Sequence, residues 1–529
     1  MYKSPHPDVE IPSIPLHEYV LADVAKHPNS VAFVDGLSKM SLTFQQIADM
    51  VDKVAAWLCE QGVRKGDVVA IFSPNTPFFV PVFHGVIRAG AVATTVNSTY
   101  GPGEVAGQLR HSGAKALFTV SFFLETATAA LDHDGVDVPT LVVLDPAEGY
   151  TSLLDVLATS ARPPAVDIDP DQDLALLAYT MGTTGPPKGV MLTHRAIVAN
   201  LCQLRVLTSL NEESTLLGVM PFFHIYGLTT LVSLSIVLGS KVVTLPFFEL
   251  ETFLRAIGEY RIGYVPIAPP MAVALAKDPL VDSCDLSCVD IVYCAAAVLD
   301  TELEQTLAKR LSARVHQGYG VTEMSPATHL VPDNRSGIPP GSTGPAIPNT
   351  EFKLVDPISG KLVTSGPGEL WSRGPQAMKG FWRDSARTAN AVDSEGFVRH
   401  GDMATVDEAG NVTILDRVAD LIVGGDGYAL PPAELESLLI AHPDVTDVAV
   451  IGVNRGGVQV PKALVVRTGD RLTEEEIERF VAGRMPEHKR VREVEFVDSL
   501  PRNIVGKIIR RELREREERM SAQKGSNEQ

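Results

Sequence analysis

The sequence predicts an α/β protein: a large N-terminal doubly wound domain with β-sheets and helices, plus a small C-terminal α+β domain. Three observations carry this. Helical and strand periodicities alternate in the first part of the chain, the rhythm of βαβ units. The strand segments there are nearly continuous apolar runs, as expected of a parallel sheet covered by helices on both faces. Finally, Gly, Asp and Pro mark turns through His400 to Glu436, and a different order of elements begins beyond them.

In chain order, an amphipathic helix is expected from Thr43 to Gln61 and an apolar strand from Asp67 to Phe72. A second helix at Pro77 to Arg88 leads to strands at Ala91 to Val96, Ala116 to Val120 and Leu141 to Asp145. The boundary is placed near Arg417, dividing residues 1–416 from 417–529. After it come a helix carrying Leu435, Leu438 and Leu439, strands at Asp447 to Val453 and Ala463 to Arg467, a helix from Glu474 to Arg484, and a strand around Val494 to Val497. The charged tail from Arg514 reads as a frayed helix or disordered chain towards its end.

At 529 residues the chain exceeds one typical core, the length prior alone giving roughly three or four domains. With 45% hydrophobic and 21% charged residues and no repeat, the composition is that of an ordinary globular protein rather than a disordered one. A net charge of −19 argues against a general nucleic-acid binder, whose phosphate partners need clustered basic surface. Five scattered cysteines form no CxxC pair, which fits a reducing compartment. No apolar stretch is long enough for a bilayer span and the N-terminus lacks a secretory pattern, so the cytoplasm is the expected address.

The stretch YTMGTTGPPKGVMLTH, residues 179–194, concentrates glycines, hydroxyls and a lysine in one loop. Its glycines permit close backbone approach, Thr180, Thr183 and Thr184 bring hydroxyls, and Lys188 brings a cation, a set suited to the outer phosphates of a nucleotide. It is not a P-loop, because Lys188 stands between Pro187 and Gly189, where that motif requires a glycine before the lysine and a hydroxyl after it. A simple P-loop hydrolase is therefore disfavoured.

Four further segments follow: PFFHIYG at Pro221 to Gly227, QGYGVTEMSP at Gln317 to Pro326, GDMATVDEAGNVTILDR at Gly401 to Arg417, and PRNIVGKIIR at Pro501 to Arg510. In order and spacing they resemble the core motifs of the adenylate-forming superfamily of acyl-CoA synthetases, luciferases and nonribosomal peptide synthetase adenylation domains. Within it, VMPFFHIYGLTTL, LPFFELETFL and PPAELE most resemble 4-coumarate-CoA ligase-like and fatty acyl-CoA ligase-like enzymes. The resemblance implies two half-reactions. A carboxylate attacks the α-phosphate of ATP and expels pyrophosphate; a thiol then attacks the acyl-adenylate and expels AMP. It also implies that the small domain is mobile and turns between the two steps.

By the same resemblance, Lys507 is the catalytic lysine that reaches the substrate carboxylate and α-phosphate, and His224 gates the passage between the carboxylate site and the thiol tunnel. Thr180, Thr183, Thr184 and Lys188 would contact phosphate. Tyr319 and the small residues Ala295, Ala296 and Ala297 would wall the adenine, Gln317, Gly318, Gly320 and Thr322 would also bind ATP or AMP, and Asp402 and Arg417 would hold ribose and phosphate. Thr184 and Glu323 would place Mg²⁺, a hard cation that prefers oxygen. His224, Tyr226, Thr230, Gly318 and Gly320 would line the acyl pocket. The pocket segments are apolar, with no obvious counter-charge, so the expected acid is an aryl or a medium to long fatty acid.

The sequence departs from the family pattern at two places. Met181 stands where relatives commonly carry serine. In DRVADLIVGGDGYALPP the hinge position is Ala419, and Val423 to Ala429 lack positive charge. Coenzyme A phosphates prefer basic neighbours, so either His488, Lys489, Arg490 and Arg492 supply the charge, or the acceptor is a carrier-protein thiol, or the enzyme stops at the acyl-AMP. A catalytically weakened nucleotide-dependent interaction protein is the alternative of another class, opposed by the retained Lys188, Glu323, Asp402, Arg417 and Lys507. By analogy the chain is a monomer or homodimer.

Overall fold

The computed structural model describes residues 1–163, 165–180, 187–334, 336–423, 429–455, 458–502 and 508–527. The first sheet runs, from one edge, Gly380–Phe381, Lys188–Thr193, Leu174–Thr180, Val92–Thr95, Val68–Phe72, Ala114–Thr119, Thr140–Val143 and Thr151–Ser152. It is parallel from Leu174–Thr180 onward and antiparallel at the other edge. All five residues of Val68–Phe72 are buried, so helices cover both faces and no polar alternation survives in the sequence. The helix Phe44–Glu60 starts where the Thr43 side chain accepts from the Gln46 amide while the Gln46 side chain accepts from the Thr43 amide, closing a capping box. Its neighbour Phe79–Arg88 comes so near that a Cβ on Gly85 would lie 2.6 Å from Val54 Cβ.

The second sheet runs Ala327–Leu330, Arg314–Gly320, Ile291–Cys294, Tyr264–Ile267, Thr215–Gly218, Lys241–Thr244, Val31–Asp35 and Ser41–Thr43, parallel except at its two edges. A third sheet, not anticipated from the sequence, is antiparallel: Tyr2–Lys3, Glu351–Val355, Gly368–Arg373, Val398–Val406 and Val412–Arg417. Among the described residues no helix is long and apolar enough to cross a membrane.

The small C-terminal domain is built on Val445–Arg455 paired antiparallel with Val458–Arg467, to which Glu493–Phe496 adds in parallel. Leu435 and Leu439 from Pro432–Ile440, with Ile477 and Val481 from Glu474–Ala482, cover one face. The other face is covered by the terminal helix, Arg510–Asn527. That helix is held because Leu513 buries itself against Ala449, Ile451 and Leu464, and Glu517 pairs with the buried Lys462.

Where the large domain hands over to the small one, Val412–Arg417 ends the third sheet, a short turn spans Val418–Asp420, and Ile422 already packs in the small-domain core. The Arg510 guanidinium fills this junction, 2.5 Å from Glu436 Oε2, 3.4 Å from Asp420 Oδ2 and 3.7 Å from Asp416 Oδ1. Burial raises the pKa of Asp416 and Glu436, and the Arg510 charge works against that rise. Removing one partner of a buried ionic cluster strands the others. Arg510→Met is therefore expected to destabilise the small domain by about 3–5 kcal/mol, read as lost amide-exchange protection in Val445–Arg455 and Val458–Arg467 with the large domain unchanged.

Candidate active site

A cavity of about 1290 Å³ draws its walls from both eight-stranded sheets, the five-stranded sheet and the start of the terminal helix. At one end, Thr180 closes its strand directly opposite Lys188, which opens the next, and both line the cavity. The intervening loop, with Met181, Thr183 and Thr184, lies outside the described residues, as do Lys507 and Gly424 to Tyr428.

The Lys188 ammonium is half-buried, 5.3 Å from the Phe381 ring centroid. Burial, and then the Arg387 guanidinium, lower its pKa, while Glu323 and Asp384 act in the opposite direction. Glu323, in the short turn Thr322–Met324, also lines the cavity; burial raises its carboxyl above the usual range against the pull of Arg417 and Lys188. A cation and a carboxyl, both desolvated and each within the other's field, suit a site whose charges are completed by an anionic ligand and its counter-ion.

The strand Arg314–Gly320 brings Gly318, Tyr319 and Gly320 to the wall, followed by Thr322. Gly320 admits no side chain, since a Cβ there would lie 2.1 Å from the Pro326 carbonyl oxygen. Ala296, across from it, holds a left-handed φ of 77°, unusual for a residue with a Cβ. Gln317 does not join them. It points to the neighbouring helix, donating to Glu304 at 2.5 Å and to the Leu299 carbonyl at 3.2 Å, and so braces the wall from behind.

Asp402 and Arg417 face each other on adjacent strands. Tyr319 donates its hydroxyl to Asp402 Oδ2 at 2.5 Å, and Arg417 Nε stands 2.9 Å from Oδ1 without aiming its N–H at it. Burial raises the Tyr319 pKa well above that of a free phenol, and the Asp402 charge adds to this. Arg417 also donates to the His400 carbonyl at 3.3 Å. The cluster is charge-paired but not saturated.

His224 caps the turn Ile225–Gly227, its Nδ1 accepting from the Tyr226 amide at 3.2 Å. Burial lowers its pKa to about 4, so near neutrality it is an uncharged imidazole. Tyr226 donates to the Tyr293 carbonyl at 3.3 Å. Thr230, in the π-helical stretch Leu228–Leu234, donates to the Tyr226 carbonyl at 2.6 Å. All three line the cavity with Tyr264, Pro266 and Tyr293.

The wall also holds residues the sequence did not single out. Arg387 and Arg399 add to its positive charge, and the buried Asp333 departs from the expected apolar pocket. Of the basic residues expected to receive a thiol donor, the His488 side chain lies outside the described residues and the other three are engaged within the small domain. Lys489 is 2.7 Å from Glu434, Arg490 donates to the Met485 and Ala482 carbonyls, and Arg492 to that of Glu487. Ala419 does line the cavity.

The sequence model of the AMP-binding enzymes matches residues 20–382, and that of the AMP-binding enzyme C-terminal domain matches 434–507. The chain belongs to the AMP-binding enzyme family and thus to the adenylate-forming superfamily. It is 36% identical to 4-coumarate–CoA ligase of Pinus taeda, covering 98% of this chain and 97% of that protein. It is 33% identical to a probable 4-coumarate–CoA ligase 1 of Dictyostelium discoideum, covering 97% of each. Among solved structures, the anthranilate CoA ligase AuaEII in complex with anthranoyl-AMP superposes with a TM-score of 0.88 at 26% identity, over 97% of this chain and 99% of that one. ATP-bound MatB from Rhodopseudomonas palustris gives 0.86 at 27% identity, over 95% and 99%.

Burial lowers the pKa of His84, His194 and His224 to about 4 and of His17, His329 and His400 to about 3. Each folded value lies below the ordinary 6.5, so each contributes stability that is present above pH 6.5 and lost as pH falls through the folded value. Raised carboxyls such as Glu323 and Glu436 work the other way, but the histidines are more numerous. The thermal midpoint is expected to fall steadily as pH drops from about 6.5 to 4, a trend that calorimetry checks.

Proposed function

We infer that the chain is an AMP-forming acid–thiol ligase that activates an aryl or medium to long-chain carboxylic acid with ATP and passes it to coenzyme A. The observation that carries this reading is the continuity of one cavity from the cationic end at Lys188 and Arg417, past Gly318 to Gly320, into the aromatic end at Tyr226, Tyr264 and Tyr293. Anionic phosphates suit the first end and a largely apolar acyl group the second.

In the first half-reaction the acid's carboxylate oxygen forms a bond to the α-phosphorus as the α–β anhydride bond breaks and pyrophosphate leaves. Lys188, with Thr180, Thr183 and Thr184, offsets the charge of the departing pyrophosphate. Arg417 and Asp402 hold the ribose and α-phosphate side, Ala296, Tyr319 and the flanking glycines enclose the base, and Thr322 closes the turn beside it. Glu323, half-buried at the cavity wall and within the field of Lys188, fits Mg²⁺, which is bound through one or two carboxylates plus substrate phosphates and would neutralise phosphate charge. Lys507 contacts the carboxylate and α-phosphate; Ile508, next in sequence, lines the cavity, which supports this assignment.

In the second half-reaction a thiolate attacks the acyl carbon, the C–O bond to AMP breaks, and the thioester forms. The neutral His224 opens or closes the route to that carbon. We take residues 1–416 as the nucleotide- and acyl-binding domain and 417–529 as the domain that turns between steps, with Ala419 at the hinge.

The test is purified protein with ATP, Mg²⁺ and a panel of carboxylic acids, reading pyrophosphate, acyl-AMP and acyl-CoA separately. All three are expected; acyl-AMP without acyl-CoA would instead favour a carrier-protein thiol. Lys507→Ala is expected to slow adenylation by about 10²-fold or more. Near-normal exchange between ATP and pyrophosphate in that variant would sink its role.

A further inference from the structure

Resting on the reading of His224 as the gate to the acyl carbon, we propose that Asn75, together with Thr95, positions that gate by clamping the backbone that carries it. His224 ends a segment that leaves the second sheet at Gly218 and runs through Val219 to Phe223. Asn75 belongs to the other sheet. It follows the strand Val68–Phe72 by three residues and precedes the helix Phe79–Arg88, yet its side chain reaches across to the His224 segment. Its Nδ2 donates to the Gly218 and Met220 carbonyls, both at 2.9 Å, and its Oδ1 accepts from the Phe222 amide at 2.7 Å. Both amide hydrogens and the oxygen are thus spent on alternate residues of one segment. The side chain is 4% exposed, so removing it would leave those backbone groups unsatisfied away from water.

Thr95 adds the next grip. It closes the strand Val92–Thr95 of the first sheet, and its hydroxyl donates to the Phe223 carbonyl at 2.6 Å. Phe222 is fully buried, edge-on to Phe33 of the second sheet and to Phe79 beside the first, with ring centroids 6.4 and 5.8 Å away. At His224 itself the amide donates to the Pro221 carbonyl at 3.1 Å, and the carbonyl accepts from the Leu228 amide at 2.9 Å. The turn beyond folds back so tightly that a Cβ on Gly227 would lie 2.2 Å from the Pro221 carbonyl oxygen.

The backbone of the gate is therefore pinned on both sides of His224, whereas the imidazole is held more lightly, by the Tyr226 amide on Nδ1 at 3.2 Å. A gate built this way turns about its side-chain torsions and keeps its pivot. Thr95, Phe223 and His224 line the cavity, whereas Asn75 stands behind its wall and acts on it through the segment it grips. A pivot displaced by about 1 Å misaims the ring, and misplacements of that size cost about 10²-fold in rate. The step that suffers is the one that uses the gate, transfer of the acyl group to the thiol.

The test separates the two half-reactions. Whichever of cinnamate, benzoate, decanoate and palmitate gives the fastest exchange between ATP and pyrophosphate is used to form acyl-AMP on the enzyme, and the rate of its transfer to coenzyme A is divided by the exchange rate. That ratio is expected to fall in His224→Ala, and to fall about 10–100-fold in Asn75→Ala and in Thr95→Val. It is expected to keep the unmodified value in Thr95→Ser, which retains the hydroxyl. When Asn75→Ala or Thr95→Val is combined with His224→Ala, the ratio is expected to equal that of His224→Ala alone, since a residue acting through the gate has nothing left to position. Thr95→Val exchanges one hydroxyl for a methyl group and carries the comparison if Asn75→Ala does not fold. A ratio unchanged in a folded variant at either position, or losses that add in the combined variants, overturns the proposal and leaves the clamp a structural one. A ratio unchanged in His224→Ala overturns the gate reading, and this inference with it, while exchange in the unmodified enzyme still supports the adenylating site. Absence of acyl-AMP, or of its transfer to coenzyme A, in the unmodified enzyme overturns the ligase reading and this inference together.

Discussion

Asp402 ties three parts of the molecule together. Its carboxylate lies in the third sheet, accepts the Tyr319 hydroxyl from the second sheet, and faces Arg417, the last residue before the chain turns toward the small domain. With Asp402 buried, neither Tyr319 nor Arg417 can move far without exposing an unpaired charge in a poorly solvated place. The Tyr319 wall of the cavity and the strand end that leads into the small domain thus share one electrostatic anchor.

A cavity built on that anchor has two chemically unlike ends. Lys188, Glu323, Arg387 and Arg417 line it with charge, whereas Tyr226, Tyr264 and Tyr293 line it with aromatic surface. Gly318 and Gly320 make the junction possible by leaving no side chain between the two. At Gly318 a Cβ would sit 2.9 Å from the Tyr293 ring, and at Gly320 it would run into the backbone. Rigid scaffolding of this kind is what holds reacting groups in line.

Most of the fold was legible because its signals are local. The capping residue Thr43 announces a helix, and the fully buried Val68–Phe72 reads as an apolar run. The third sheet was not, because its buried positions include charge. Lys353 sits inside it, paired with Asp393 at 2.7 Å and over the Phe397 ring at 4.1 Å, and so breaks the apolar period that would mark a strand. Motif residues were likewise legible as a set but not in their orientations: Gln317 bonds to Glu304 and the Leu299 carbonyl rather than lining the cavity with Gly318. Asp333 was not singled out, since its burial at the cavity wall follows from contacts with Thr208 and Ser209, more than a hundred residues earlier.

The pairing of Val398–Val406 with Val412–Arg417 carries a consequence for how this protein tolerates change in length. Asp402 meets Arg417 by counting inward from the turn that joins the strands, with one irregularity between Met403 and Ala404. Residues added at the tip, around Asp407 to Asn411, leave the count along each strand intact. A single residue gained or lost between Asp402 and Val406 shifts the register by one and sends the carboxylate to the opposite face of the sheet. Insertions and deletions are thus permitted in the turn and forbidden a few residues away, although neither segment touches the acyl group.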